Sequence, residues 1–435
     1  MMLLLAADTA AGATPDILVV TVDTLRADHL SAYGYPRKTS PSIDSLLSGG
    51  VRFTQARTVE PLTGPALASM LTSLYPHEHG STRNGLRMRE ELASFPGLLA
   101  RRGYETAAFV GNWTLRDSLS GMAEHFGTYD AVLTKKRWFG VLKSEATAED
   151  INAAALEWLD RHVTTEPRRP FLLWVHYVEP HAPYALRKEL LGQIGLNATG
   201  SFFSPRNRYD SEIAYVDSRI GTLLAGVGQR VDSRNLITVF TSDHGESLGE
   251  HGYWGHGRHL YEPTLWIPMG ITWQGRVLSG PLDAPAMILD IAPTLLGLVG
   301  LEVPSLFRGF DWSGILTRGG RLPMDRVTLY QTHRMSVEPQ EDQTALRRKG
   351  LLEVARIVQR QKEILRIKGH KHRAFDLLAD PEEIESEVDE NSEISEPLSD
   401  WLEEVRAGLA TSDDLPPPSL TDDDLKALRA LGYLD

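Results

Sequence analysis

The 435-residue sequence contains no cysteine. Disulfide bonds, thiolate metal ligands and thiol nucleophiles are therefore excluded. The absence does not fix the cellular compartment, since a chain of this length can bury a large core without disulfides. A nucleophile or a metal site in this chain must be built from hydroxyl, carboxylate, imidazole or amine groups.

Positive charge and long apolar runs are also scarce. The chain carries 45 Lys and Arg against 58 Asp and Glu, which gives a net charge of −13, and no basic patch stands out. We therefore expect no nucleic-acid partner. No stretch reaches the ~18 apolar residues of a membrane span, so we expect no integral membrane segment. The oligomeric state is left open.

The N-terminal tail, residues 1–15, is rich in small apolar residues. It lacks a basic n-region, and its apolar block is shorter than that of a secretory signal peptide. One interpretation is that it is the remnant of such a peptide. The sequence therefore leaves the localisation unknown.

Apolar runs alternate with amphipathic segments between residues 16 and 325. Strands are predicted over residues 16–22, 51–53, 106–110, 171–175 and 235–241. Helices are predicted over residues 42–48, 66–74, 90–102, 146–162, 210–227 and 287–299, with an irregular stretch at 111–144. This alternation indicates an α/β fold with a large, mostly parallel sheet and helices on both faces.

The pattern changes near residue 326. Short runs over residues 327–331, 352–358, 363–367 and 372–377 predict a small antiparallel sheet, followed by a helix at 401–409. We therefore predict four units. They are the N-terminal tail (1–15), a catalytic α/β domain (16–325), a C-terminal antiparallel sheet with a helix (326–410), and a linker with a terminal docking helix (411–435).

Polar side chains follow several of the predicted parallel strands. Asp23 ends the first strand, His181 lies in the Pro-rich loop after the fourth, and Asp243 and His244 directly follow the fifth. Ligands of open α/β sheets bind at this edge. Thr63 lies at the N-terminus of an apolar helix, where the helix dipole favours an anion.

Structural interpretations of these residues remain open at this point. Taken alone, Thr63 is best interpreted as a helix cap, because a threonine hydroxyl can accept a hydrogen bond from an unpaired N–H of the first turn. Asp243 could cap the following segment, and His244 could be an ordinary surface residue. The chemical interpretation depends on the residues meeting in space.

Together, carboxylates, imidazole and a hydroxyl suit one divalent metal ion of hard or borderline character: Mn, Zn, Ca or Mg. The hypothesis is that Asp23, Asp243, His244 and the Thr63 oxygen bind the metal. Coordination would then activate the Thr63 hydroxyl as a nucleophile toward a tetrahedral phosphorus or sulfur centre. His181 and His256 are the candidates for holding an oxygen or protonating the leaving group.

Five segments and a C-terminal motif resemble the sulfatase family of the alkaline phosphatase superfamily. The segments read ILVVTVDTLRADHLSAYGYPRKTSPSIDSLLSGGVRF, LTGPALASMLTSLYPHEHG, RRGYETAAFVGN, FLLWVHYVEPHAPY and FTSDHGESLGEHGYWGHGRHLYEPTLWIP, and the motif is FDLLADPEE. The resemblance implies an alkaline-phosphatase-like α/β/α sandwich. It also implies metal binding by Asp23, Asp243 and His244, a nucleophile at Thr63, and a histidine at 181 that contacts the transferred group. His256 aligns more loosely with a catalytic lysine or histidine. Export is the habit of this family, so the resemblance implies export to the periplasm or the outside, although the chain shows no clear signal peptide.

The chain departs from this family at the nucleophile. Sulfatases proper carry Cys or Ser in Cys/Ser-x-Pro-x-Arg, which is converted to formylglycine, whereas this chain has Thr63 and, in place of the arginine, Leu67. Thr24 replaces a second aspartate, and His244 replaces the common asparagine. The set resembles the threonine-using branch, which includes phosphoglycerol and phosphoethanolamine transferases that use manganese or zinc.

The leading hypothesis is thus a metal-dependent hydrolase or transferase of phosphate or sulfate esters without formylglycine, and the Thr63 chemistry favours phosphoryl transfer. The substrate would be an anionic small-molecule, lipid or glycan ester. The alternatives are a true sulfuric ester hydrolase that works without formylglycine and a catalytically inactive protein that binds an anion.

Overall fold

A computed structural model describes residues 14–133, 135–137, 142–196, 204–334 and 350–410. The strands are β1 (Asp16–Val22), β2 (Val51–Arg57), β3 (Glu105–Val110), β4 (Thr128–Ala131), β5 (Lys135–Arg137), β6 (Leu142–Glu145), β7 (Phe171–Tyr177), β8 (Leu236–Ser242), β9 (Ser247–Leu248), β10 (Trp254–Gly255), β11 (Met269–Thr272), β12 (Gly280–Met287), β13 (Thr328–His333), β14 (Leu351–Val358), β15 (Gln361–Arg366) and β16 (Lys371–Asp376).

The helices are α1 (Pro41–Ser48), α2 (Thr63–Thr72), α3 (Pro76–His79), α4 (Phe95–Arg101), α5 (Asp117–Ser120), α6 (Ala148–Val163), α7 (Pro205–Gly228), α8 (Glu262–Leu265), α9 (Ile291–Leu298), α10 (Ser313–Arg318) and α11 (Glu396–Ala410). Within the described residues, none of the helices is both long and apolar enough to cross a membrane.

One eight-stranded sheet organises the chain, in the order β12-β2-β11-β8-β1-β7-β3-β4. Every neighbouring pair is parallel except the two made by β11, which runs antiparallel to β2 and β8. The predicted α/β class with a mostly parallel sheet is therefore confirmed. The central strand β1 is buried along its whole length, as expected for a strand covered on both faces.

The two faces of β1 pack into two separate cores. Ile17 and Val19 point into a core that also contains α2, α4 and α9, whereas Leu18 and Val20 point into a core with α1, α6 and α7. This alternation follows from the two-residue period of a strand. The result is the predicted α/β/α sandwich.

The second sheet is antiparallel and lies in the C-terminal part of the chain, in the order β13-β14-β15-β16. Helix α11 packs on β14 and on α3, so the small sheet and its helix lie against the main body. The small C-terminal antiparallel sheet is confirmed. The domain boundaries proposed from sequence remain predictions, and the terminal docking helix falls outside the described residues.

Several predicted boundaries are wrong. The helix predicted at 90–102 begins only at Phe95, because the Ser94 side chain caps it by accepting from the Gly97 N–H and Pro96 occupies its first turn. The helix predicted at 287–299 is shortened because the chain up to Met287 pairs with β2 as strand β12. The stretch 111–144 is not wholly irregular, since it contributes the edge strand β4.

Candidate metal and nucleophile site

Three central strands bring their ends together at one edge of the large sheet. Parallel pairing sets His176 of β7 opposite Thr21 of β1, and Ser242 of β8 opposite Val22. Asp23 and Asp243 follow directly. Ligand atoms of Asp23, His176 and Asp243 all lie within 4.8 Å of one another, and the three residues are buried. With His244 and Thr63, described next, they are called the sheet-edge cluster below.

Backbone geometry beyond the strands aims Asp243 and His244 at this point. Asp243 Oδ1 accepts the N–H of Thr24, at 3.1 Å, and the N–H of His244, at 2.7 Å. Thr24 adopts a left-handed conformation with φ 54°. His244 Nε2 then lies 3.6 Å from Asp243 Oδ2 and 3.9 Å from Asp23 Oδ1. The second oxygen of Asp243 therefore faces the centre of the cluster.

Thr63 is the first residue of α2, which is buried throughout. The expectation that its hydroxyl serves as a helix cap is wrong: the capping position belongs to Leu62, and no side chain in the described part of the chain caps this helix end. Thr63 Oγ1 instead lies 3.4 Å from His244 Nε2. The neighbouring Gly64 N–H is held by Asn84 Oδ1 at 2.9 Å. The N-terminus of α2 therefore holds the Thr63 hydroxyl against the cluster.

Four histidines at this edge of the sheet all use the same ring nitrogen, Nδ1, for a hydrogen bond. The Nδ1 atom of each ring has a hydrogen-bond partner outside the cluster: the Thr21 hydroxyl for His176, the Gly245 carbonyl for His244, the Ala182 carbonyl for His181 and the Glu246 carboxylate for His256. In His176 and His244, engaging Nδ1 leaves Nε2 as the nitrogen that can bind a metal or a substrate. The rings of His244 and His256 lie 4.4 Å apart, and those of His181 and His256 lie 5.3 Å apart.

Burial controls the protonation of the cluster. Burial, reinforced by the charge of Asp23, raises the pKa of Asp243 to about 6. Burial also lowers the pKa of His176, His244 and His256 to about 4, so these rings are neutral near pH 7. Neutral imidazoles and closely spaced carboxylates are the form in which these groups bind a cation.

The structure brings together all six residues singled out from the sequence: Asp23, Thr63, His181, Asp243, His244 and His256. Sequence reasoning missed three of their neighbours. It ended β7 at residue 175, so His176 was assigned to the following loop, whereas β7 continues to Tyr177. Asn112 donates from Nδ2 to Asp23 Oδ2 at 2.5 Å, and Glu246 holds His256. For Asn112 the available signal was its position two residues after the predicted strand 106–110, which other polar residues shared.

A second group, His77, Glu78 and Glu404, also places three ligand atoms within 4.8 Å. Its two carboxylates already bind the guanidinium of Arg308, at 2.6 and 2.8 Å. The cation that these acids require is therefore supplied by the chain itself.

Comparison with known proteins agrees with this architecture. The family model described as Sulfatase matches residues 15–301. An N-acetylglucosamine-6-O-sulfatase of Bacteroides thetaiotaomicron is 25% identical over 409 residues, covering 72% of each chain. Arylsulfatase A of Homo sapiens is 26% identical over 395 residues, covering 77% of this chain and 74% of that protein.

A solved structure of similar fold is that of a protein in complex with its substrate D-glucosamine-2-N,6-O-disulfate. It superposes with a TM-score of 0.70 at 21% identity and covers 93% of this chain and all of that one. The family match extends over most of the sheet and includes every residue of the sheet-edge cluster. The chain belongs to the sulfatase family and is a sulfatase-like hydrolase.

Proposed function

We propose that this protein is a metal-dependent hydrolase or transferase of anionic esters in which the Thr63 hydroxyl is the nucleophile. One observation carries the proposal: a fully buried threonine hydroxyl at a helix start is directed at a cluster of buried carboxylates and neutral imidazoles, 3.4 Å from His244 Nε2. A hydroxyl needed only for helix capping would instead accept from a backbone N–H of its own helix.

The residues fit a divalent metal ion. Asp243 Oδ2 and His176 Nε2 are buried and, among the described residues, accept or donate no hydrogen bond. Such atoms are costly to bury unless a cation or water satisfies them. Asp23, Asp243 and His244 would hold the ion with Thr63, and His176 is a further candidate ligand. The two imidazoles favour zinc over calcium or magnesium.

A bound ion would supply Lewis acidity and lower the pKa of a nearby hydroxyl. The Thr63 oxygen would attack the phosphorus or sulfur atom, and the positive end of the α2 dipole would face the charge that develops on the oxygens of the transferred group. His181 and His256 would face the leaving group. Release of the threonine ester by water or by an acceptor alcohol would complete the second step.

Two kinds of observation bear on the choice between a phosphate and a sulfate ester, and they favour different substrates. A metal-activated hydroxyl is suited to phosphoryl transfer, and Leu67 replaces the arginine of the formylglycine motif, so we favour a phosphate ester. The second candidate is a sulfate ester, because the relatives are named as sulfatases of sugars and aryl compounds. In that case Thr63 would attack sulfur directly.

The test uses the purified full-length protein loaded with manganese or zinc. Turnover of aryl phosphate, phosphodiester and aryl sulfate would be measured for the wild type, Thr63→Ala and Thr72→Ala. Thr72 is a matched control, since it is buried in the same helix, donates to the Ala68 carbonyl and accepts from the Leu74 N–H. We expect Thr63→Ala to lose at least about 10³-fold in kcat and Thr72→Ala to remain active.

Chelation should also abolish turnover, and metal analysis should find one ion per chain. Undiminished activity of Thr63→Ala would remove the hydroxyl from the mechanism. A preference for sulfate within the panel would decide for the second candidate. A protein with neither bound metal nor turnover would be an anion-binding member of the family.

A further inference from the structure

The backbone amides that follow Thr63 in the first turn of α2 are either engaged or absent. The Gly64 N–H donates to Asn84 Oδ1 at 2.9 Å. The next residue is a proline, which has no N–H. The Ala66 N–H donates at 2.9 Å to the backbone carbonyl four residues before it. The oxygens of a group bound at Thr63 therefore need hydrogen-bond donors other than these amides.

The Asn84 side chain supplies such a donor. It is fully buried, and its Nδ2 atom has no hydrogen-bond partner among the described residues. Because an N–H must donate to an oxygen, the bond from Gly64 fixes which end of the amide is Oδ1. Nδ2, with its two N–H groups, therefore lies beside the residue that follows Thr63. A buried donor is costly to leave unpaired, so this end of the amide favours binding of an acceptor.

A buried histidine fixes the loop that carries Asn84 to helix α2. His79 Nε2 lies 2.9 Å from the hydroxyl of Ser69 in α2, and His79 Nδ1 accepts the N–H of Ser81 at 3.2 Å. The Asn84 donor is thus held at the start of α2 before any ligand binds. Such preorganisation is what makes a hydrogen-bond donor effective toward charge that develops in a transition state.

We propose that Asn84 binds the tetrahedral group that is transferred, by donating from Nδ2 to one of its non-bridging oxygens. For its place in the reaction, this inference rests on the proposed function of Thr63. While the bond from phosphorus or sulfur to Thr63 Oγ1 forms, the bond to the ester oxygen breaks, and that oxygen keeps the electron pair. The non-bridging oxygens carry negative charge throughout. Asn84 stabilises this charge and neither gains nor loses a proton.

Two substitutions separate the donor of this amide from its acceptor. Asn84→Asp keeps an oxygen that can accept the Gly64 N–H but replaces the donor with a second oxygen, whose charge repels an anion. Asn84→Ser removes the amide donor without adding charge. The matched control is Asn152→Asp, because Asn152 is also buried but uses both ends of its amide within the chain. Its Nδ2 donates to the Arg219 carbonyl at 2.8 Å, and its Oδ1 accepts the Tyr177 hydroxyl.

The experiment titrates the zinc-loaded full-length proteins with inorganic phosphate and, separately, with inorganic sulfate in a calorimeter at pH 8. We expect Asn84→Asp to weaken binding of the preferred anion by at least about 10²-fold and Asn84→Ser by about 10-fold, because a hydrogen bond to a charged group is lost. Asn152→Asp should keep the wild-type anion affinity. The zinc affinity of Asn84→Ser, measured by competition with a chelator, should equal that of the wild type.

Unchanged anion affinity in Asn84→Asp, or an equal loss in Asn152→Asp, would overturn the inference, as would a wild type that binds neither anion. A loss of zinc from Asn84→Ser that matches its loss of anion would also overturn it, since Asn84 would then support the metal site. Should Asn84→Asp fail to fold in thermal unfolding, the anion affinity of Asn84→Ser decides alone.

This titration involves no turnover, so its result is independent of the nucleophile. Activity that survives in Thr63→Ala would refute the proposed function of Thr63. It would leave the binding of the anion by Asn84 intact.

Discussion

Two buried clusters of charged side chains in this protein differ in how their charge is balanced. The sheet-edge cluster contains two carboxylates, and burial holds its histidines neutral. The other, here called the junction cluster, consists of Arg57, Glu262, Lys362 and Glu383. It joins strand β2 and helix α8 to the small C-terminal sheet.

The junction cluster contains its own counter-ions. Arg57 Nη2 lies 2.8 Å from Glu262, and Lys362 Nζ lies 3.0 Å from Glu262 and 2.7 Å from Glu383. Although burial opposes it, the charges of Arg57 and Lys362 hold the pKa of Glu262 at about 2. In the sheet-edge cluster, burial and Asp23 instead raise the pKa of Asp243.

The difference separates a structural cluster from a candidate binding site. Buried acids with cations of their own need nothing further, and removing one partner leaves an uncompensated charge. Buried acids without such cations destabilise the protein until something positive binds, and their removal harms binding rather than folding. Three predictions follow from this difference, and each addresses one side of it.

The largest effect is expected for Asp243→Asn. Among the described residues, this carboxylate has no Lys or Arg side chain beside it. The substitution should therefore lower kcat by at least about 10³-fold while the metal-free protein keeps or gains stability. Thermal unfolding with and without added manganese or zinc is the measurement. The wild type should be stabilised by metal, and the variant should not.

Asp217→Asn is the matched control for that experiment. Burial also raises the pKa of Asp217 to about 6, but its carboxylate accepts the N–H groups of Ser42 and Ile43 in helix α1. This variant should lose stability and keep its response to metal. The interpretation fails if Asp243→Asn retains a metal-dependent increase in melting temperature.

Next in size is the loss expected for Lys362→Met. The substitution leaves Glu383 without its cation, so we expect the free energy of unfolding to fall by about 3–5 kcal/mol. Denaturant unfolding measures this change. Lys371→Met is the control, because Lys371 pairs with Glu390 at the exposed surface of the neighbouring strand and should cost no more than about 1 kcal/mol. Similar costs for the two lysines would contradict the distinction between the clusters.

The smallest effect is a pH dependence from Glu383. Burial raises the pKa of Glu383 from 4.5 to about 7 in the folded protein. The folded state therefore binds more protons than the unfolded state between these values, so this group's stabilising contribution is complete below about pH 4.5 and is lost as the pH rises through about 7.

We expect this group to lower the free energy of unfolding by about 1–2 kcal/mol between about pH 5 and pH 7. Urea unfolding of Glu383→Gln over the same range should show a correspondingly weaker decline than the wild type. If the free energy of unfolding declined more steeply in the variant than in the wild type, Glu383 would be ionised over the whole pH range. The charge of Lys362 would then outweigh burial.

Much of the sheet was predictable because central strands carry a local signal. The buried runs at β1, β3, β7 and β8 read as apolar in any context, and the polar residues that follow them mark the ligand-binding edge. The strands that were missed lack that signal. Strand β12 contains Gly280, Pro281 and Pro285, and it is a strand only because its backbone pairs with β2.

The candidate site, like the sheet, was predictable only where a local signal marks it. Asp23 and Asp243 directly follow apolar strands, so their position could be inferred. His176 and Asn112 could not be ranked above other polar residues, because their importance comes from the register between β1 and β7 and from the contact of Asn112 with Asp23. The contact of Glu246 with His256 could not be predicted either, because it is formed by the β9–β10 hairpin, which brings the two residues together.

The sequence by itself determined which residue types could act: it excluded thiol chemistry, set a threonine at the start of a buried helix and put acids at strand ends. Those properties are local, since they follow from residue identity and from the periodicity of apolar side chains. Only the tertiary structure decided that Thr63 faces His244 rather than capping its helix, and that Glu246 faces His256. Such contacts join residues far apart in the chain or across a turn, so they are fixed by strand order and loop geometry, which side-chain periodicity does not encode.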